Sequence, residues 1–80
     1  MRYTVDWEDP ALDDLADLWT RAVNRQAVRD AANRVDGLLA YDPEIKGVDF
    51  YGDRLLVEPP LHVVYRVIPV DRRAVVIHVW

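Results

Sequence analysis

Eighty residues, 51% of them hydrophobic and 30% charged with only three glycines, describe one folded domain with a thin core, too short for two cores and too apolar for a disordered tail. The lack of cysteine excludes a disulfide framework, thiolate metal sites and a cysteine nucleophile. A net charge of −4 argues against a protein that coats nucleic acid through clustered basic residues.

The acidity is uneven. Through Pro43 five arginines stand against nine acids, and from Glu44 onward five basic residues stand against five acids. Nine of the ten basic residues are arginine, a bias that suits bidentate carboxylate or phosphate contacts and that high-GC codon usage also produces. The N-terminus carries Asp6 and no apolar h-region, and no apolar run approaches the roughly 18 residues of a membrane span. The expectation is a soluble, cytoplasmic protein.

Tyr3, Val5 and Trp7 alternate with Thr4 and Asp6, which predicts a strand with one buried face. Asp9-Pro10 supplies a helix start, with Asp9 as the expected cap. The apolar stripe that follows is Ala11, Leu12, Leu15, Leu18 and Trp19. Asp13, Asp14 and Asp17 point away from that stripe and read as a solvated face, since nothing in the sequence pairs them with histidine. A second helix is expected from about Asn24 to Ala40, antiparallel to the first, with Asp42-Pro43 preventing its continuation. Glu44 to Asp53 reads as a loop. Arg54–Glu58, Leu61–Ile68 and Ala74–Trp80 then form a three-strand meander. The fold class is α+β: a two-layer β-α-α-β-β-β arrangement, with the helix pair packed on one face of a mostly antiparallel four-stranded sheet.

This order resembles the RelE/ParE superfamily of toxins from type II toxin-antitoxin systems. The run from Val35 to Pro43 resembles the family's "I-x-x-L-x-x-x-P" helix ending. Arg54-Leu55-Leu56-Val57 resembles its first meander strand, and Leu61 to Val67 resembles its "G-x-R-V-x-Y-x-V" strand. The resemblance implies one of two activities, ribosome-dependent mRNA cleavage as in RelE-like members or poisoning of DNA gyrase as in ParE-like members. A member that has lost its chemistry and only binds a partner is a third reading. The resemblance also implies a cognate antitoxin as partner, with the ribosome and mRNA, or gyrase, as target. Two departures stand out. His62 occupies a position where the family usually carries arginine, and the sequence ends at Trp80, before the segment in which many RelE-like nucleases carry their last Arg and their Tyr.

Alternation along Leu61–Ile68 places His62, Val64, Arg66 and Ile68 on the face away from the helices. His78 and Trp80 are expected on the same face, alternating with Val75, Ile77 and Val79, and Arg54 is expected to join them. Arg54, His62, Arg66 and His78 are therefore the candidate catalytic residues, with Trp80 as a base-stacking, substrate-binding residue. Structural readings stand beside these: His62 solvating the sheet, Arg66 pairing with Glu58, and Trp80 covering a core edge. Val64, Ile68, Val76 and Trp80 form an expected apolar patch for a partner. Two histidines without cysteine make no metal set, so neither a metal nor a cofactor is expected.

Overall fold

The computed structural model describes residues 2–80. The first strand, β1, spans Thr4–Trp7, with Val5 and Trp7 packed against the core. Helix α1 (Asp9–Arg21) begins one residue earlier than the capping signal implies. Glu8 takes the N-cap position without a side-chain hydrogen bond, and Asp9 lies inside the first turn beside Pro10. There its charge still favours the positive end of the helix dipole. Helix α2 (Arg25–Leu39) is capped by Asn24, whose side chain accepts the Ala27 amide at 3.1 Å. It ends before Asp42, whose left-handed φ of 49° turns the chain into a 3₁₀ turn at Pro43–Ile45.

The core is made where the two helices meet one face of the sheet. Ala11, Val28, Ala31, Val35 and Leu39 pack on Leu61, Val63, Tyr65, Ala74, Val76 and Val79. Leu12 and Trp19 belong to the apolar stripe of α1 but remain 47% and 40% exposed. They line a groove between α1 and α2 instead of entering the core. Among the described residues no helix is long and apolar enough to cross a membrane.

Among the described residues the sheet has five strands rather than four. The extra strand β2 (Val48–Phe50) lies within the stretch expected to be a loop, and pairs antiparallel with β3 (Asp53–Glu58). Two backbone features make it possible. Tyr51 and Gly52 both have positive φ, 52° and 87°, which closes a two-residue hairpin with the twist that such hairpins favour. At Gly47 a Cβ atom would sit 2.3 Å from the Leu55 carbonyl oxygen, so only glycine lets the chain come this close to β3. β4 (Leu61–Ile68) and β5 (Arg73–Val79) complete the meander. The order across the sheet is β1-β5-β4-β3-β2, with β1 parallel to β5 and every other pair antiparallel.

Candidate functional site

The open face of the sheet carries its chemistry at the end of β5. The backbones of His62 and Trp80 exchange two hydrogen bonds, with His62 N–H donating to the Trp80 carbonyl at 2.7 Å and Trp80 N–H to the His62 carbonyl at 2.9 Å. Directly opposed in this way, their rings stack at 5.3 Å between centroids with only 5° between planes. His78 comes against the same indole at 5.2 Å. Phe50 reaches it from β2 at 6.4 Å, and Tyr51 packs edge-on to Phe50 at 4.9 Å.

His78 shares this face with His62 because β5 is irregular. The β4–β5 register shifts between Val64 and Tyr65: Tyr65 faces Val76, while Val64 faces His78. Ile77 is thus an extra residue, a β-bulge. Before it, Ala74 and Val76 turn to the core, and after it Val79 does. Uninterrupted alternation would have put His78 on the core side with Val76. Val76 is therefore not part of the open-face patch expected from the sequence, since it is fully buried in the core.

On its other side His78 meets a helix. Its Nδ1 lies 2.6 Å from Asp14 Oδ2 of α1, and the same oxygen accepts the Val79 amide at 3.1 Å. Asp14 is thus no member of a merely solvated face. Nothing local in the sequence marks it, because its partner is 64 residues away. Phe50 is equally hidden, because it lies within the expected loop and its hairpin turn, Tyr51-Gly52, lacks the usual Asn-Gly or Asp-Gly signal.

Two expected members of the site lie elsewhere. Arg54 pairs with Tyr65 in the β3–β4 register and so faces the helix side. It donates through Nε to the Lys46 carbonyl at 2.7 Å and through a terminal nitrogen to the Gly47 carbonyl at 3.1 Å, which makes it an anchor for the turn that precedes β2. Arg66 does lie on the open face, but its guanidinium is held by both oxygens of Asp53, at 2.8 and 3.3 Å. Asp53 beside it raises the Arg66 pKa further above its ordinary value. Arg66 is also four residues along β4 from His62, about 13 Å by the rise of a strand. The expected pairing of Arg66 with Glu58 is not formed, since Glu58 takes Arg34 of α2 at 2.6 Å. Of the residues expected in the site, the structure brings together His62, His78 and Trp80.

No protein-family model matches the chain, and no curated protein matches its sequence. Solved structures do match its backbone. A RelBE toxin-antitoxin complex from Mycobacterium tuberculosis superposes with a TM-score of 0.79 at 18% identity, covering 100% of this chain and 91% of that one. A chromosomal ParDE toxin-antitoxin system from P. aeruginosa follows at 0.77 and 18% identity, covering 98% and 94%. The chain has the RelE/ParE toxin fold. A mutant of E. coli RelE in the free state agrees, with a TM-score of 0.71 at 18% identity over 99% of this chain and 82% of that one. RelE and ParE structures alike sit on this scaffold, so activity has to be argued from the side chains.

Proposed function

We propose that the chain is the toxin of a type II toxin-antitoxin pair and acts as a ribosome-dependent mRNA interferase. The observation that carries this reading is the placement of two imidazoles, His62 and His78, against one partly exposed indole, Trp80. Trp80 offers a surface on which a nucleobase stacks. Imidazoles exchange protons near neutral pH, which is what cleavage of RNA by its own 2′-hydroxyl requires. One imidazole takes the 2′-hydroxyl proton as that oxygen bonds to phosphorus. The other gives a proton to the 5′-oxygen as its bond to phosphorus breaks.

The groove between α1 and α2 is the proposed seat of an antitoxin helix. It offers about 770 Å³ and is lined by Leu12, Leu15, Trp19, Val28 and Asp36. An amphipathic helix buries its apolar face in such a groove. The acidic α1 favours a basic antitoxin segment, and the relatives that share the fold include structures of toxin-antitoxin complexes.

The test is to map transcript 5′ ends after induction of the wild type, His62→Gln, His78→Gln and Trp80→Ala. Each histidine variant is expected to lose about 10²- to 10⁴-fold in cleavage rate, with the fold and antitoxin binding retained. Cuts that persist at full rate in both would overturn the assignment. A gyrase poison of the ParE kind is the second reading, favoured by one observation: the two arginines expected to meet phosphate are occupied, Arg54 by loop carbonyls and Arg66 by Asp53. In that case the histidine variants stay toxic, and arrested cells show DNA damage with intact mRNA.

A further inference from the structure

We infer that Asp14 is a positioning residue for His78, fixing its imidazole with the proton on Nδ1 so that Nε2 is the nitrogen free to accept a proton at the open face. β1 covers β5 only as far as Val76, where Trp7 is the last register partner and the Glu8 amide bonds the Val76 carbonyl at 2.9 Å. Beyond that point β5 has a free edge. Trp80 spends its backbone bonds on His62, so the intervening Val79 amide points the other way, towards α1. Asp14 accepts it at 3.1 Å.

Asp14 Oδ2 accepts the Val79 N–H at 3.1 Å, and a carboxylate oxygen only accepts, so in its 2.6 Å contact with His78 the donor is Nδ1. The bulge at Ile77 supplies the remaining condition by turning His78 towards the open face, where its side chain is 56% exposed beside Trp80. A carboxylate that holds one imidazole nitrogen so that the other can work is a recurrent device in proton-transfer sites. Here it is assembled from an edge-capping aspartate on a helix and a histidine at a bulge. The role in catalysis rests on the nuclease reading above, whereas the tautomer does not.

The experiment therefore has two arms. In ¹⁵N–¹H spectra of the free protein at about pH 9, where imidazole is neutral, His78 is expected as the Nδ1–H tautomer. Asp14→Ala should return it to a mixture rich in Nε2–H while the His62 signals stay in place. A His78 ring that is Nε2–H in the wild type, or unchanged in Asp14→Ala, overturns the inference. Asp14→Asn keeps an oxygen for the Val79 amide but loses the charge, and serves if Asp14→Ala does not fold. In the second arm, Asp14→Ala is expected to lower transcript cleavage about 10- to 100-fold, less than a fully buried partner would, because Asp14 is 31% exposed. The double variant with His78→Gln should be no slower than His78→Gln alone, since Asp14 acts only through that ring. Losses that multiply overturn the positioning role. A wild type that cuts no transcript overturns the nuclease reading and the catalytic use of the pair, and the tautomer measurement then decides by itself whether Asp14 sets the ring.

Discussion

Arg54 and Tyr65 face each other across β3 and β4, and both reach the carbonyl of Lys46, at 2.7 Å and 2.6 Å. Tyr65 also lies 2.7 Å from the Pro43 carbonyl. Two side chains on the helix side of the sheet thus hold the segment between α2 and β2, and through it the hairpin that brings Phe50 to Trp80.

The phenol of Tyr65 makes this anchor pH-sensitive. Burial is the main cause that raises its pKa above the ordinary 10.0. The native state therefore keeps the proton after the unfolded chain has lost it. Stability from this group is complete below pH 10 and declines as pH rises towards the native pKa. Tyr65→Phe should cost about 0.5–1.5 kcal/mol at pH 7, from the lost hydrogen bond of its hydroxyl to the Pro43 and Lys46 carbonyls, and should flatten the alkaline decline. Urea unfolding at pH 7 and at about pH 10.5 measures both.

At the hairpin, Gly47→Ala should destabilise by about 1–3 kcal/mol or more, through strain at φ 67° and the clash with the Leu55 carbonyl. Gly52→Ala should cost less, because nothing lies within 4 Å of its Cβ position and only the backbone strain remains. Comparing their urea midpoints tests the assignment of β2, and equal losses would count against it.

The helix pair divides core from groove. Leu39→Ala, at a fully buried site, is expected to cost about 2–5 kcal/mol. Leu12→Ala should change stability by no more than about 0.5 kcal/mol, yet weaken neutralisation of toxicity by a co-expressed antitoxin. A Leu12→Ala protein that melts like Leu39→Ala would show that the groove belongs to the core.

The two arginines should also separate. Arg54→Ala is expected to lower stability by about 1–3 kcal/mol, because its carbonyl acceptors lose a charged partner. Arg66→Ala breaks an ion pair that is 59% exposed on the arginine side and should leave stability nearly unchanged. If the His62 and Trp80 cluster is the site, Arg66→Ala also cuts transcripts near the wild-type rate. Loss of cleavage in Arg66→Ala at unchanged stability would return Arg66 to the site.

The elements legible from the chain were those with a period. Val35 and Leu39 on α2, Leu61, Val63 and Tyr65 on β4, and the Pro43 stop all follow from spacing and backbone chemistry. So did His62, whose facing follows from regular alternation. Whatever broke the period was hidden. β2 is only three residues long and rests on the left-handed turn at Tyr51 and Gly52, while Leu12 is as apolar as Leu15 and differs only in what α2 leaves uncovered. Alternation with Val79 puts His78 on the face it occupies, but the bulge that holds it there has no signature in the local sequence. Asp14 could be found only once helix and strand were side by side.

Among the described residues β1 is the first strand, and its only strand partner is β5, the last. The meander of β3, β4 and β5 closes through short turns, but β1 has nothing to pair with until β5 is in place, because Thr4 is matched to Arg73. During synthesis the opening segment leaves the ribosome long before its template exists, and contacts this distant in sequence slow folding. The seating of β1 therefore waits for β5, and so does the contact of Asp14 with His78, which lies on that same strand.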